Sequence, residues 1–165
     1  GGDYAEYWEY QDGNPDAEDR AGLFVVFAGK YVKIAQKGDP LIQIGVVSAA
    51  PSIIGDSDLR EWPHKYEKDI FGREIWKETA SEDGTFTRER VINAAYDPTQ
   101  NYVRRANRPE WAAIGTHGKL VVVDDGTCVV NGFCAPSDGG IATASEEGFY
   151  VMERLDKTHI RIYMR

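Results

Sequence analysis

Apolar and polar residues alternate in short runs along most of the chain, which is typical of β-strands rather than helices. The clearest example is the segment 158–164, in which Ile160, Ile162 and Met164 alternate with polar or amphipathic neighbours. A period of two places one set of side chains on a buried face of a sheet and the other set on the opposite face. The C-terminal segment is therefore predicted to be a strand with one buried face.

Similar runs of β-branched and aromatic residues recur through the sequence, separated by turn-forming residues. They predict strands at residues 23–27, 31–35, 41–48, 111–118, 119–126, 127–133 and 149–155, and at the end of the stretch 61–79. Residues 79–84 have the composition of a loop, and residues 85–95 fit either a strand or a helix. Many short strands, with 17 Gly and 7 Pro among 165 residues, indicate an all-β fold, mainly an antiparallel barrel or sandwich with little helix.

The length and the lack of a visible repeat or dividing linker favour a single domain over residues 1–165. A domain of about this size buries roughly two thirds of its unfolded surface, so a substantial core is possible. No apolar run approaches the ~20 residues of a membrane helix, and no signal peptide opens the chain. A membrane partner is therefore not expected.

The net charge of −8 is concentrated at the start of the chain, in an acidic leader that we define as residues 1–19. The leader contains no base, and its seven acids are Asp3, Glu6, Glu9, Asp12, Asp16, Glu18 and Asp19. It also contains three Tyr and one Trp, an aromatic content that argues against a disordered tail. We expect its last part, from Asp12 to Asp19, to be a solvated turn.

Charge also bears on nucleic-acid binding. The chain has 27 Asp and Glu against 19 Lys and Arg, and its basic cluster consists of Arg104, Arg105 and Arg108. A phosphate-backbone binder requires a larger basic surface, so nucleic acid is not an expected partner. We predict that the three arginines form a solvated loop face.

The secondary structure of the leader decides which of its acids could act together. In a helix, Glu6 and Glu9 would share a face, whereas in a strand they point to opposite faces. The Tyr and Trp residues favour a strand. The sequence DGNP at residues 12–15 is a strong turn signal. We therefore predict a strand that ends before this turn.

Cys128 and Cys134 are the two cysteines of the chain. We interpret them as small buried thiols in a reducing compartment, with a disulfide as the alternative. The sequence has no CxxC or HExxH motif and no His and Cys cluster at ligand spacing. Neither a metal nor another cofactor is therefore predicted.

Several stretches of the sequence, taken in the order in which they occur, resemble those of a known family. They are GGDYAEYWEYQDGNP with EDRAG, IGVVSAAPSIIGDS, FGREIW, RPEWAAIGTHGKLVV and DGGIATASEEGFYVMERL. Together they resemble the peptidase G2 family, the autoproteolytic intramolecular chaperone domain at the C-terminus of bacteriophage tail-spike and neck-appendage proteins. The resemblance implies a trimerising domain that follows an upstream β-helical spike of the same polypeptide, helps three chains register and fold, and then cuts itself off. It further implies action in the host cytoplasm during virion assembly, after which the domain is released from the tail spike or stays attached to it.

The resemblance also implies the position of the cut. Family members are cleaved just before an Asp at the start of the domain, by acidic residues rather than by Ser, Cys or a metal. On this sequence the scissile bond is Gly2–Asp3, and the catalytic carboxyl groups are those of Asp3, Glu6 and, as a third candidate, Glu9. The family often has Ser where this chain has Gly2, so that hydroxyl is missing here. Gly1 and Gly2 are either native or the remnant of a purification tag.

Two carboxyl groups are sufficient for this chemistry. The Asp3 carboxylate can close a six-membered ring on the Gly2 carbonyl carbon, and intramolecular attack recovers about 7–11 kcal/mol of barrier in good geometry. The departing amide nitrogen needs a proton, and a protonated Glu6 is the candidate donor. In the alternative, the Glu6 carboxylate activates a water molecule and a protonated Asp3 donates. The sequence leaves both variants open, and it does not distinguish cleavage within one chain from cleavage across the trimer.

Two other functions stay open. The chain could be a trimerisation and folding module without catalysis, or a carbohydrate- or receptor-binding spike tip that uses exposed tryptophans. We expect Trp62, Trp76 and Trp111 to anchor the core or a subunit interface. A Ser57 and Lys65 dyad, similar to that of the related endosialidase chaperone domains, is a weaker catalytic alternative because nothing in the sequence desolvates Lys65.

Overall fold

The computed structural model describes residues 2–58 and 62–165, which form twelve strands and three short 3₁₀ helices. In chain order the strands are β1 (Gly2–Tyr10), β2 (Phe24–Ala28), β3 (Tyr31–Ile34), β4 (Ile44–Val47), β5 (Ile53–Gly55), β6 (Trp76–Ala80), β7 (Phe86–Arg90), β8 (Trp111–Val123), β9 (Phe133–Pro136), β10 (Ala142–Ser145), β11 (Phe149–Arg154) and β12 (His159–Met164). The 3₁₀ helices are Leu41–Gln43, Arg105–Asn107 and Asp138–Gly140. The predicted all-β class with little helix is confirmed. Within the described ranges, no helix has the length and apolar character needed to cross a bilayer.

The chain divides into two compact units, one formed by Gly1–Ser57 and Arg105–Arg165 and the other by Asp58–Arg104. The first unit contains a ten-stranded sheet in the order β10-β9-β11-β12-β8-β4-β2-β3-β1-β5. Because β1 also pairs with β8, the strands β8, β4, β2, β3 and β1 close into a ring, which makes a small barrel. Strands β12, β11, β9 and β10 extend the sheet outward from β8.

The barrel interior and the sheet extension each have a core. The barrel core takes one residue from each ring strand, and its members are Tyr10, Val25, Val32, Val47 and Ile114. The larger core joins the other faces of β2, β4 and β8 to the extension, and its bulkiest fully buried members are Phe24, Val46, Val122, Val151, Ile160 and Ile162. The predicted strand at the C-terminus is confirmed, because Ile160, Ile162 and Met164 all lie in this core.

Strand β8 belongs to both the barrel and the extension. Its first part pairs with β1 and β4, and its last part, from Gly118 onward, pairs with β12. Gly118 has a φ of +101°, and Thr116 is an extra residue of β8 opposite the β1 pair Tyr4 and Ala5. A bulge and a glycine in this conformation allow one long strand to bend between two sheets. The two strands predicted at 111–118 and 119–126 are therefore a single strand of 13 residues.

Two other sequence assignments were wrong. Residues 127–133 were predicted to be a strand, but they form a loop up to Phe133, and Val129 and Val130 are 65% and 49% exposed. Conversely, β5 lies within residues 48–58, where no strand was predicted. Its residues become a strand because they pair in parallel with β1.

The second unit is built around the hairpin β6–β7. The register runs from Trp76 opposite Arg90 to Ala80 opposite Phe86, and the turn between the strands spans residues 81–85. The segment 85–95, which fitted either strand or helix, is thus a strand over its first half. The Arg90 guanidinium lies 3.7 Å from the ring centre of Tyr66, which ties the hairpin to the rest of this unit.

Three tryptophans were expected to be anchors. Trp62 contacts the ring of Tyr102, with 5.1 Å between the ring centres, and Trp76 is 42% exposed on the hairpin. Trp111 lies 4.1 Å under the guanidinium of Arg105, whose side chain is only 12% exposed. The prediction of a fully solvated arginine face is therefore wrong for Arg105.

Candidate functional site

The acids of the candidate site lie on β1, which confirms that the first part of the leader is a strand. Gly2 to Glu9 pair antiparallel with β8, and Tyr4 to Glu6 pair in parallel with β5 on the other edge of β1. The sequence favours a strand here because Tyr and Trp fit a pleated surface. The pairing then fixes which side each acid faces.

The Gly2–Asp3 bond lies directly against the backbone of β8. Gly2 is opposite Lys119, and Asp3 is opposite Gly118. A methyl group at position 118 would stand 2.4 Å from the Gly2 carbonyl oxygen and 3.0 Å from the Asp3 Cα. Glycine lacks Cβ and tolerates the positive φ of this position, so Gly118 allows the close approach. The candidate scissile bond is thereby held in one place by the paired strand.

The side chain of Asp3 is enclosed. The residue is 4% exposed, and its Oδ2 would lie 3.0 Å from a Cβ at Gly115. Within the described parts of the chain, Oδ2 has no hydrogen-bond partner. A buried carboxyl oxygen without a partner is uncommon because its desolvation is not compensated, and one explanation for such a group is a role in catalysis.

A cleft of about 580 Å³ opens at the same place. Its walls include Gly2, Asp3 and the loop 48–50, together with the basic residues Lys119, His159 and Arg161. The aliphatic stem of Lys119 covers Gly2, since a Cβ at Gly2 would meet its carbon atoms at 3.4–3.8 Å. Both residues of the candidate scissile bond, Gly2 and Asp3, therefore line this cleft.

Glu6 is placed differently from Asp3. It is half-buried, and its Oε1 accepts a hydrogen bond of 2.5 Å from the Tyr4 hydroxyl. By strand alternation it shares the face of Trp8 and Tyr10, whose side chains belong to or pack on the barrel core.

The strand does not bring the three predicted carboxyl groups together. Asp3 and Glu6 are three residues apart and so point to opposite faces, and Glu6 is about 13 Å along the strand from Gly2. Glu9 shares the face of Asp3 but lies about 20 Å away. Of these three residues, only Asp3 lies at the Gly2–Asp3 bond of its own chain.

The end of the leader forms an ion-pair cluster. Arg20 is 7% exposed, and its guanidinium donates two hydrogen bonds to Asp12, at 3.0 and 2.8 Å, and one to Glu18 at 3.1 Å. These bonds hold the pKa of Asp12 below its usual value. Asn14 is also buried, and it bonds to Glu18 and to the carbonyl of Pro109. The four acids from Asp12 to Asp19 are exposed in a turn region, as predicted. The buried Asn14 and Arg20 in addition form an ordered clamp at the C-terminal end of β1.

One cluster of metal-ligand types lies away from β1. Asp124, Asp125 and Cys128 bring ligand atoms within 4.8 Å of one another. Both oxygens of Asp124, however, accept hydrogen bonds from Arg154, at 3.1 and 2.6 Å, so an ion pair accounts for the buried carboxylate. Cys128 and Cys134 are both buried and free, which confirms the interpretation of the cysteines as buried thiols.

Sequence reasoning missed the residues that β8 contributes. Gly115 and Gly118 touch the Asp3 carboxyl group and the Gly2 carbonyl group, and Lys119 covers Gly2. A signal was present, because a strand that contains two glycines three residues apart indicates a bulge or a close backbone approach. What the sequence lacked was any indication that this strand pairs with the leader.

Comparisons with known proteins agree on the kind of domain. Residues 2–159 match the family described as Peptidase_G2, IMC autoproteolytic cleavage domain. The chain is 32% identical over 146 residues to the pre-neck appendage protein of Bacillus phage B103, covering 88% of this chain and 16% of that protein. It is 34% identical over 152 residues to the pre-neck appendage protein of Bacillus phage phi29, covering 92% of this chain and 17% of that protein. This chain thus spans about a sixth of the length of these relatives.

Two crystal structures have the same fold. The pre-mature bacteriophage phi29 gene product 12 superposes with a TM-score of 0.81 at 27% identity, covering all of this chain and 22% of that one. The C-terminal fragment of the same gene product superposes with a TM-score of 0.78 at 28% identity, covering 99% of this chain and 100% of that fragment. The barrel, the paired leader strand and the family match together show that this chain belongs to the Peptidase_G2 family of autoproteolytic cleavage domains.

Proposed function

We propose that this chain is the C-terminal intramolecular chaperone of a phage neck appendage or tail spike, and that it releases itself by cleaving the Gly2–Asp3 bond. The observation that carries the proposal is the buried Asp3 carboxyl group, partnerless at Oδ2 within the described chain and attached to a bond that Gly118 holds against β8. The relatives are named as pre-neck appendage proteins, and one similar structure is described as pre-mature, which supports a processing role.

The chaperone acts as a homotrimer with the upstream part of the same polypeptide, in the host cytoplasm during virion assembly. Support comes from the relatives, of which this chain covers only about a sixth. The rest of each relative's polypeptide corresponds to the chain whose assembly this domain would assist.

The chemistry is carried by two carboxyl groups. In one variant the Asp3 carboxylate attacks the Gly2 carbonyl carbon and Glu6 protonates the Asp3 nitrogen as the C–N bond breaks, which opens the six-membered ring. Water then hydrolyses the resulting open-chain mixed anhydride between the Gly2 carboxyl group and the Asp3 side chain. In the other, the Glu6 carboxylate takes a proton from water, the resulting hydroxide adds to the Gly2 carbonyl, and Asp3 supplies the proton to the leaving nitrogen. Both consume one water molecule and leave a carboxyl group on Gly2 and an amine on Asp3.

The strand geometry favours cleavage between copies. Glu6 lies on the other face of β1 and about 12 Å from the Gly2–Asp3 bond of its own chain, which exceeds the reach of its side chain. We therefore assign Glu6 to a bond in another copy of the trimer. Asp3 acts on its own bond, and Glu9, about 20 Å away, plays no direct part.

The first experiment uses the full-length polypeptide that contains this domain. Glu6→Gln and Asp3→Asn should each leave the polypeptide uncut on a denaturing gel, whereas Glu9→Gln, the matched control on the same strand, should be cut normally. Mass spectrometry of the wild-type products should place the new N-terminus at Asp3. Normal cleavage of the Glu6→Gln variant would show that Glu6 is not required.

The second experiment tests cleavage between copies. Polypeptides carrying Glu6→Gln and Asp3→Asn are co-expressed with different affinity tags, so that mixed trimers form. If Glu6 acts on its neighbour, the Glu6→Gln chain is cut in mixed trimers by the intact Glu6 of the other variant, although neither variant is cut alone. If neither chain is cut in isolated mixed trimers, cleavage within one chain is supported instead.

A further inference from the structure

Tyr4 and Gly55 lie beside Glu6, and neither has a role in the chemistry described above. We propose that Tyr4 is a positioning residue that fixes the Glu6 carboxyl group for self-cleavage, and that Gly55 provides the space in which this pair packs. The inference rests on the proposed function and names two further residues of the same site.

The contact between Tyr4 and Glu6 is direct. The phenol hydroxyl of Tyr4 donates to Glu6 Oε1 at 2.5 Å, which is at the short end for an O–H···O bond and typical of one with a charged acceptor. A half-exposed glutamate otherwise samples several rotamers about its three side-chain torsions. The hydrogen bond to the Tyr4 phenol restricts Glu6 to rotamers in which its carboxyl group lies on the side of β1 that pairs with β5.

Gly55 provides the space in which the Tyr4 and Glu6 side chains fit on the β5 side of β1. It is opposite Glu6 in the parallel pairing of β5 with β1, and Ile53 is opposite Tyr4. A Cβ at position 55 would stand 2.6 Å from the Tyr4 hydroxyl oxygen and 3.1 Å from the Glu6 Cγ. The backbone of Gly55 is not in the left-handed region, so the position requires glycine for space alone.

The surroundings of Tyr4 keep its hydroxyl group protonated. The hydrogen bond to Glu6 raises the pKa of Tyr4 above its usual value, and desolvation and the charge of Glu6 act in the same direction. The β8 residue opposite Tyr4 is His117, which hydrogen-bonds to Thr116, and the adjacent strand β5 has no titratable side chain. Tyr4 therefore remains a hydrogen-bond donor throughout the neutral pH range.

The main test is Tyr4→Phe in the full-length polypeptide. Loss of one hydrogen bond to a charged group should slow self-cleavage by about 10- to 100-fold. The melting temperature and the oligomeric state should not change, because the Tyr4 side chain is 36% exposed and Tyr4→Phe keeps the backbone pairing of β1. Tyr7→Phe is the matched control, since Tyr7 lies on the opposite face of the same strand.

A double-mutant cycle separates positioning from a general structural role. Glu6→Asp shortens the side chain by one methylene, which withdraws the carboxyl group from the Tyr4 hydroxyl while keeping some activity. If Tyr4 acts through Glu6, adding Tyr4→Phe to Glu6→Asp should change the rate by less than about twofold. An equal slowing in both backgrounds would show that Tyr4 acts independently of Glu6 and would overturn the proposal.

Gly55→Ala gives a second readout. The added methyl group should slow cleavage in the wild type by displacing the Tyr4 and Glu6 pair, and it should slow cleavage less in the Tyr4→Phe background, where the hydroxyl it meets at 2.6 Å is absent. Wild-type rates in both Tyr4→Phe and Gly55→Ala would refute the positioning role while leaving self-cleavage intact. Normal cleavage of Glu6→Gln would instead refute the proposed function itself.

Discussion

Gly118→Ala is the most direct perturbation of the candidate scissile bond that leaves its chemical groups in place. The substitution adds one methyl group to β8 and changes no acid of the leader. That methyl group would lie 2.4 Å from the Gly2 carbonyl oxygen, whereas ordinary van der Waals contact of a Cβ begins at 3.4 Å. The carbonyl group and β8 must therefore separate by about 1 Å.

The magnitude follows from this displacement. A misplacement of about 1 Å at a reacting group can reduce a rate by about 100-fold, so we expect self-cleavage to slow by that factor. The alanine also carries a folding cost, because a non-glycine residue at a positive φ is less stable by about 1–2 kcal/mol. The two effects need separate measurement.

Gly126→Ala provides the control for the folding cost. Gly126 follows β8, has a φ of +88° and would place its Cβ no closer than 3.6 Å to a neighbouring atom. In urea unfolding Gly126→Ala should lose only the conformational cost of the positive φ, and Gly118→Ala should lose more because it also displaces β1. Only Gly118→Ala should accumulate uncut polypeptide in a time course on a denaturing gel.

Cleavage of folded Gly118→Ala at the rate of the Gly126→Ala variant would refute this prediction. That result would mean that the position of the Gly2 carbonyl against β8 is irrelevant to the reaction. Equally slow cleavage of both variants would mean that lost stability alone slows the reaction, and it would also refute the prediction.

Three further predictions concern stability and thiol reactivity. Burial raises the pKa of Asp124, but the hydrogen bonds and charge of Arg154 lower it by more, so the net pKa is below the usual value. The ionised Asp124 carboxylate therefore stabilises the folded state above about pH 4, and this stabilisation is lost as the pH falls through the folded-state pKa. Arg154→Met should accordingly lower the urea midpoint at pH 7, and the difference from wild type should shrink below pH 4; a pH-independent difference would contradict the role of the ion pair. Burial raises the pKa of Cys128 to about 12, so a disulfide reagent at pH 8 should label this thiol only after unfolding, and rapid labelling of the native protein would show that the thiol is accessible. Asn14→Ala removes three hydrogen bonds of a buried side chain and should cost about 1–3 kcal/mol by urea unfolding, whereas a loss below about 0.5 kcal/mol would show that the clamp contributes little.

Local patterns were sufficient for much of the fold. The alternation at 158–164 predicted β12, and the β-branched runs predicted β2, β3 and β4. They failed where pairing rather than local sequence decides. Residues 127–133 are apolar enough for a strand, but the chain turns at Asn131, which has a φ of +69°, and regular pairing with β11 begins only at Phe133. The Gly- and Pro-rich segment containing β5 becomes a strand because β1 lies beside it.

The site was harder to predict than the strand that carries it. Acids at positions 3, 6 and 9 have a period of three, and in a strand that period cannot place all of them on one face. Asp3 lies against Gly115 and Gly118 of β8, which are more than a hundred positions further along the chain. A local sequence pattern does not indicate a contact between residues so far apart in the chain.

The pairing of β1 with β8 also sets the order of events during synthesis. Asp3 leaves the ribosome first, but Gly118 follows 115 residues later, which at about 5–20 residues per second takes about 6–23 seconds. During that interval the Gly2–Asp3 bond has no opposing strand, so under the proposed mechanism it is not cut. On that proposal, a polypeptide whose synthesis stops before β8 would stay uncut at this bond. Cleavage would then mark a polypeptide whose synthesis has passed β8, and an incomplete product would be distinguishable by its uncut bond.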